Sequence, residues 1–176
     1  SLAQLGIGPD ATVVAYDERG GAFAGRSVWM LRILGQGAAL LDGGLMAWEA
    51  AGESIDIEPV SWEPVERPVI DWPLEALADA LDVERHIADG GVVIDSRDPA
   101  RYAGELEPID VAAGHVPGAI NLLFTDNLDS DGRFLPADAL RARFAPVVGD
   151  DHDPIVYCGS GVTACHNALA MEHVGV

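Results

Sequence analysis

The chain has 176 residues, 49% of them hydrophobic, and its 29 acidic against 10 basic side chains give a formal net charge of −19. A surface this acidic repels phosphate backbones and anionic lipids, so we expect neither nucleic-acid binding nor membrane association. No apolar run approaches the roughly 20 residues of a membrane-spanning helix. The two cysteines, Cys158 and Cys165, are too few for a disulfide framework. We therefore expect free thiols and a reducing, cytoplasmic compartment.

The pattern of the first 52 residues predicts alternating strands and helices. Residues 12–16 (TVVAY) form an apolar run typical of a buried strand, and apolar residues at helical spacing predict a helix over residues 26–35. A second strand is predicted over residues 38–41, followed by a turn into a short helix that reaches Trp48. Because about 50 residues are too few for a domain of this type, we expect residues 1–52 to be part of one.

Residues 53–73 differ in composition from the segments on both sides. They combine acidic residues and little hydrophobic periodicity with four prolines, at positions 59, 64, 68 and 73. Prolines at this density disfavour a helix and favour an extended chain. We therefore interpret residues 53–73 as an interdomain linker.

Residues 74–176 repeat the alternation of helices and strands. The predicted elements are helices over 74–87, 136–144 and 163–174, strands over 92–95 and 155–157, a turn and short strand over 114–121, and a loop over 158–162. This order predicts an α/β fold with mainly parallel sheets. The segment from Ile155 weakly repeats the segment from Val13, which indicates two related domains. Since no strand follows the last helix, we expect this domain to lack its final segment.

The segment most informative about function is YCGSGVTA, residues 157–164. It places the thiol of Cys158 where a predicted buried strand turns into a helix, and sites in parallel sheets gather at the carboxyl ends of strands. Glycines allow the backbone to curl tightly around the sulfur. Backbone amides and a helix N-terminus then favour a thiolate. The alternative is a buried, inert cysteine that packs as a small hydrophobe.

Four motifs together resemble the tandem-domain rhodanese family of thiosulfate and 3-mercaptopyruvate sulfurtransferases. Residues 158–164 (CGSGVTA) are similar to the active-site loop of the family's second domain, and residues 95–97 (DSR) and 114–121 (GHVPGAIN) to its other hallmarks. Residues 42–52 (DGGLMAWEAAG) resemble the end of the first, inactive domain. The resemblance implies two rhodanese-like α/β domains, each with a mainly parallel sheet flanked by helices, the first of them partial and residues 74–176 the catalytic one.

The resemblance also implies a mechanism and the residues that perform it. Cys158 would accept a sulfane sulfur from a small anionic donor and pass it from the persulfide to a thiol or cyanide acceptor, such as a thioredoxin-like protein. No cofactor or metal is implied, and Asp17 occupies the matching place in the first domain. Arg101 would bind the donor anion, since a guanidinium suits a carboxylate or sulfonate-like group. The remaining substrate-binding positions are the loop residues Gly159, Ser160, Gly161, Val162 and Thr163.

The identity of the donor stays open at the level of sequence. Gly159 and Ser160 are similar to the loop of 3-mercaptopyruvate enzymes, whereas thiosulfate enzymes tend to carry basic residues there. However, Ile109 follows the Glu-Pro pair where many 3-mercaptopyruvate enzymes have a second arginine. The loop therefore favours 3-mercaptopyruvate and Ile109 weakens that assignment.

Two other functions are weighed against sulfur transfer. A cysteine-dependent phosphatase needs an arginine six residues after its nucleophile, and Ala164 occupies that place. A non-catalytic rhodanese-like binding module is the second alternative, because the partial first domain would leave sheet edges unpaired.

Several other residues have a functional and a structural interpretation, and we favour the structural one. His115, in a Gly/Pro turn, is expected to bond nearby backbone, and Arg97 to form an ion pair with neighbouring acids. Cys165 and His166 are expected to pack inside the last helix, with a resolving thiol as the alternative for Cys165. The acidic residues around His152 are interpreted as a solvated loop rather than a metal site.

Overall fold

The computed structural model describes residues 1–149 and 153–176. The strands are β1 (Val13–Ala15), β2 (Ala38–Leu40), β3 (Val93–Asp95), β4 (Ile120–Asn121) and β5 (Ile155–Tyr157). The α-helices are α1 (Ala22–Ile33), α2 (Gly44–Ala50), α3 (Ala80–Ala88), α4 (Pro99–Tyr102), α5 (Ala137–Val148) and α6 (Val162–Val174). Three short 3₁₀ helices span Ala3–Leu5, Leu74–Ala76 and Phe124–Asn127.

The strands form two parallel sheets, one on each side of residues 53–73. In the first sheet β1 pairs with β2, with Val14 opposite Ala39. In the second sheet the order is β4-β3-β5, and Ile94 lies opposite both Ile120 and Val156. These parallel sheets with flanking helices confirm the predicted α/β class. Residues 53–73 contain no helix or strand, and the division into domains at 52/53 and 73/74 stays a prediction.

The helix predicted over residues 74–87 is wrong at its start. Leu74–Ala76 is a 3₁₀ turn, Leu77 is extended, and α3 begins only at Ala80. The carboxylate of Asp79 accepts the amides of Leu81 and Asp82, while the Asp82 side chain accepts the Asp79 amide. This reciprocal capping box fixes the helix start. Its signal, two aspartates three residues apart, was present in the sequence.

Other helices also differ from the prediction, and α1 begins at Ala22, four residues before its expected start. The sequence analysis missed α4, whose first turn is set by Asp98, which caps the Ala100 amide, and by Pro99 at the first helical position. Helix α5 continues to Val148, past the predicted end at Phe144. It includes Pro146, which has no backbone amide to donate to the carbonyl four residues earlier.

Helix α6 connects the two halves of the molecule. On one side Ala170, Met171 and Val174 pack with Ile94 and Phe144 in the core of the second sheet. On the other side Leu169 belongs to the core of the first sheet, where it packs in one cluster with Val28, Leu31 and Ala38. Helix α1 packs against α6 at Gly25, where a β-carbon would lie at an ordinary contact distance of 3.6 Å from Leu169 Cδ1. The two sheets are therefore joined through packed helices.

Within the described part of the chain, no helix is long and apolar enough to cross a membrane.

Candidate active site

Cys158 directly follows β5, at the carboxyl edge of the second sheet. The chain then turns through Gly161, whose φ of 73° lies in the left-handed region that favours glycine, and enters α6 at Val162. The sulfur is thus held between the end of a strand and the N-terminus of a helix. Cys158 is half-buried and carries a free thiol. The predicted strand, loop and helix are confirmed here, with α6 beginning one residue earlier than expected.

The surroundings of Cys158 lower the pKa of its thiol. Burial on its own would raise that pKa. Hydrogen bonds to the sulfur from the Thr163 hydroxyl, and from the amides of Ala164, Ser160 and Thr163, outweigh burial. These donors stabilise the negative charge of the thiolate, which is the nucleophilic form of cysteine. At position 164 the sulfur meets a backbone amide, without the guanidinium that phosphatase chemistry needs.

Arg26, on helix α1 of the first half, contacts the Cys158 loop. Its Nη1 atom donates to the Ser160 carbonyl at 2.5 Å. A β-carbon at Gly161 would lie 3.6 Å from the same Nη1 atom. This guanidinium therefore holds the outer turn of the loop from across the interface between the two halves. The sequence analysis missed Arg26, because nothing local relates it to a loop 134 residues away.

Arg101, which the resemblance assigned to donor binding, lies beside the Cys158 loop. A β-carbon at Gly159 would be 3.3 Å from its Nη2 atom. The guanidinium is also held by two carboxylates, with Nη2 at 2.7 Å from Glu107 Oε1 and at 2.9 Å from Asp110 Oδ2. Hydrogen bonds from Arg101 lower the pKa of Glu107 to about 2. The sequence analysis did not foresee this pairing of Arg101 with Glu107 and Asp110.

Arg97 forms the structural ion pair that was predicted for it. Its guanidinium binds the fully buried carboxylate of Asp95 at 2.7 Å, Glu107 at 3.2 Å and the Gly114 carbonyl at 2.6 Å. Hydrogen bonds with Asp95 raise the pKa of Arg97. Nearby, burial raises the pKa of Tyr157 to about 12, and its hydroxyl accepts the amide of Val116. This network anchors the GHVPGAIN turn to the strand ends of the sheet.

His115 and Cys165 make the structural contacts expected of them. His115 hydrogen-bonds the Tyr102 carbonyl at 2.8 Å and stacks on the Tyr102 ring. Cys165 is buried and donates to the Gly161 carbonyl, and burial raises the pKa of its thiol to about 11. Across residues 1–149 and 153–176 no cluster of ligating side chains could hold a metal ion. The acidic segment Asp150, Asp151 and His152 lies outside the described residues.

A chain of buried polar side chains runs from the second sheet to the first half of the molecule. Its hydrogen bonds join Ser96 to Asn167 at 2.8 Å, Asn167 to Asn127 at 2.7 Å, Asn127 to His166 at 3.2 Å and His166 to the Gly20 carbonyl at 3.0 Å. Because His166 Nε2 faces a carbonyl, that nitrogen carries the proton and Nδ1 accepts from Asn127. Burial lowers the pKa of His166. The network therefore contains a neutral imidazole.

Asp17, at the end of β1, lies in a loop built like that of Cys158. Its two carboxylate oxygens accept four backbone amides at 2.7–2.9 Å, those of Arg19, Gly21, Phe23 and Ala24. Burial would raise the pKa of Asp17, but these amides outweigh it and lower the pKa. The carboxylate therefore fills the anion-binding loop of the first half, where the second half has a thiol.

Comparison with known proteins agrees with this fold. Residues 79–176 match the rhodanese-like domain family. The chain is 45% identical to the "Probable 3-mercaptopyruvate sulfurtransferase" of Pseudomonas aeruginosa and 38% identical to the "Putative thiosulfate sulfurtransferase SseB" of Mycobacterium tuberculosis. Each alignment covers 99% of this chain and 63% of the relative. The crystal structure of Escherichia coli SseA, a 3-mercaptopyruvate sulfotransferase, superposes with a TM-score of 0.83 at 31% identity, over 99% of this chain and 66% of SseA.

The fold and the strand-to-helix loop thus define a rhodanese-like α/β protein, as the sequence motifs predicted. The chain belongs to the rhodanese-like domain family. It spans about 63% of the length of the two curated relatives named above.

Proposed function

We propose that the protein is a sulfurtransferase that moves a sulfane sulfur through a persulfide on Cys158. The observation that carries the proposal is the loop around that thiol, where Thr163 and three backbone amides lower the pKa of the thiol and the Arg101 guanidinium lies beside Gly159. The donor is 3-mercaptopyruvate or thiosulfate, and the acceptor is a thiol or cyanide. Residues 74–176 act as the catalytic domain and residues 1–52 as part of an inactive one, joined by the 53–73 linker.

In the first step the Cys158 thiolate attacks the outer sulfur of the donor. With thiosulfate the sulfur–sulfur bond breaks and its electron pair leaves on sulfite. With 3-mercaptopyruvate the carbon–sulfur bond breaks, and the resulting pyruvate enolate takes up the proton released from the donor thiol. Both routes leave a persulfide on Cys158, so the protein itself carries the sulfur and no bound cofactor takes part.

In the second step an acceptor thiolate attacks the outer sulfur of the persulfide. The new acceptor–sulfur bond forms as the bond to Cys158 breaks, and the Cys158 thiolate is restored. A thioredoxin-like protein supplies such a thiol, and the free thiols of this chain fit a reducing compartment such as the cytoplasm.

The residues of the loop divide between charge stabilisation and donor binding. The Thr163 hydroxyl and the amides of Ser160, Thr163 and Ala164 hold the negative charge of the thiolate and the persulfide, since preorganised donors stabilise charge at low reorganisation cost. Arg101 binds the carboxylate or sulfonate-like end of the donor. Its place beside Gly159 supports this role.

The two donors are separated by intact-mass spectrometry after incubation with each one in turn. We expect a gain of one sulfur atom in the protein, absent in Cys158→Ser, and the donor that loads faster is the preferred one. No gain with either donor would overturn sulfur transfer by this chain and favour the binding module. A gain that persists in Cys158→Ser would show that the sulfur is on another residue.

A further inference from the structure

The two carboxylates that hold Arg101 differ in how firmly they are fixed. The Glu107 side chain is 5% exposed, and its Oε1 atom also accepts the amides of Ile109 and Asp110 at 3.0 and 2.9 Å. Its other oxygen reaches both Arg97 and Arg101 at 3.2 Å. The Glu107 carboxylate is therefore held by backbone hydrogen bonds. It cannot move away from the guanidinium without breaking its bonds to the amides of Ile109 and Asp110.

Asp110 is placed differently. Its side chain is 38% exposed, and Oδ2 lies 2.9 Å from Arg101 Nη2 and 3.7 Å from Arg97 Nη1. It belongs to a stretch without helix or strand, between Ile109 and Val111, which are 74% and 109% exposed. A rotation of this side chain towards solvent frees one face of Arg101, because Glu107 stays in place.

Asp110 also faces the Cys158 loop. A β-carbon at Gly159 would lie 3.5 Å from Asp110 Oδ2 and 3.3 Å from Arg101 Nη2. The carboxylate therefore lies on the side of Arg101 that faces Gly159, the residue directly after Cys158. A donor anion that binds Arg101 there meets a site already occupied by a negative charge.

The charge balance around Arg101 makes this competition matter. Two guanidinium groups, Arg97 and Arg101, face three carboxylates, so the cluster has a formal charge of −1 before any donor arrives. The Coulomb repulsion between Asp110 and a bound donor grows in proportion to the donor's charge. Thiosulfate is a dianion at neutral pH, and 3-mercaptopyruvate with a protonated thiol is a monoanion.

On the basis of the function proposed above, we infer that Asp110 is a specificity-determining residue that competes with the donor anion for Arg101 and disfavours a dianion more than a monoanion. The carboxylate acts as an internal counter-ion of the guanidinium. A donor anion binds by displacing the Asp110 carboxylate from Arg101. The repulsion that remains between Asp110 and the bound donor favours the donor with the lower negative charge.

The test is isothermal titration calorimetry with thiosulfate and with 3-mercaptopyruvate. The Cys158→Ser chain keeps the donor unreacted, and it is compared with the same chain carrying Asp110→Asn. We expect the affinity for thiosulfate to rise about tenfold and that for 3-mercaptopyruvate about threefold, since the logarithm of the change scales with donor charge. The control is Asp138→Asn, which removes one negative charge from the exposed first turn of α5.

An unchanged or weaker affinity for thiosulfate in Asp110→Asn, including a complete lack of binding, overturns the inference. Equal gains for both donors, or the same gains in Asp138→Asn, also overturn it. A thermal melt of Asp110→Asn reports whether its fold is kept, and Asp110→Ser is a second variant without the charge. The measurement needs no persulfide, so its failure is distinct from a failure of sulfur transfer, which the mass measurement on unmodified Cys158 reports separately.

Discussion

The loops after β1 and β5 hold an anion in the same way but differ in the atom that carries the charge. Each loop follows a parallel strand, turns through a glycine and leads into a helix, which is α1 for the first loop and α6 for the second. In the first loop, amides two, four, six and seven residues further along bind the carboxylate of Asp17. In the second, the amides of the second, fifth and sixth residues after Cys158 bind its sulfur.

The difference indicates that the anion-binding loop is a property of the backbone, and on the proposed function one side chain decides reactivity. Asp17 is a permanent anion that already satisfies its amides, and a carboxylate there cannot accept a sulfane sulfur. Cys158 becomes an anion by losing a proton, and its thiolate can be extended by one sulfur atom while the amides still hold the charge. The Asp17 loop is thus a structural counterpart of the proposed catalytic loop.

The largest expected effect is that of Cys158→Asp, which copies the first loop into the second. We expect no sulfur to be added by either donor, because no nucleophile remains. The melting temperature should exceed that of Cys158→Ala, since a carboxylate accepts the loop amides and a methyl group does not. Differential scanning calorimetry of the two variants tests this. A melting temperature no higher than that of Cys158→Ala would contradict the equivalence of the two loops.

The reverse experiment removes the anion of the first loop. Asp17→Ala leaves four amides without their acceptor, and we expect a loss of about 2 kcal/mol in the free energy of unfolding, because part of the loop stays open to water. Asp17→Asn keeps one acceptor oxygen and should lose less. The measurement is chemical denaturation, with Asp10→Ala at an exposed position as the control. Equal stability of Asp17→Ala and Asp10→Ala would show that the carboxylate does not hold its loop.

A smaller effect is expected from Thr163→Val, which removes the hydroxyl donor to Cys158 but keeps the side-chain shape. One lost hydrogen bond of about 1 kcal/mol should slow alkylation of Cys158 by iodoacetamide about fivefold at neutral pH, because less thiolate is present. At a pH well above the thiol pKa the two proteins should react equally. Thr163→Ser, which keeps the hydroxyl, is the control. A fivefold difference that persists at high pH would indicate an altered loop rather than a shifted pKa.

The smallest effect concerns His166, which ties α6 to the Asp17 loop through the Gly20 carbonyl. Burial lowers its pKa below the ordinary 6.5, so as the pH falls the unfolded chain takes up this proton before the folded one. The stabilising effect of the neutral imidazole is complete above the ordinary pKa of 6.5, which is that of the unfolded chain. It is lost as the pH falls from there through the lower pKa of the folded protein. We expect the melting temperature to fall between about pH 7.5 and 5.5, a range above the ordinary titration of carboxylates.

The control for His166 lies on the same helix. His166→Gln should flatten the pH dependence, whereas His173→Gln, at an exposed position, should leave it unchanged. A slope that survives in His166→Gln would mean that another group takes up the proton.

Sequence reasoning succeeded where a structural element depends on its own residues. The apolar run before Cys158 and the glycines after it predicted strand, loop and helix, because strand and helix signals act over a few residues. It failed at α3, where the capping aspartates at 79 and 82 outweigh the helical period of the residues before them. It also found Arg101 only through the family resemblance, and gave no sign that Glu107 and Asp110 would share its guanidinium.

Sequence patterns were sufficient to assign the α/β class and the family, and to locate the Cys158 thiol and its acidic counterpart Asp17. The contacts that distant groups make around the two loops follow from tertiary packing: Arg26 on the Ser160 carbonyl, His166 on the Gly20 carbonyl and Asp110 on Arg101. The physical reason is that local propensities and backbone amides act within a few residues of chain. Contacts between distant residues depend instead on how α1 packs on α6 and how a loop folds over a sheet edge, and no short-range pattern records either.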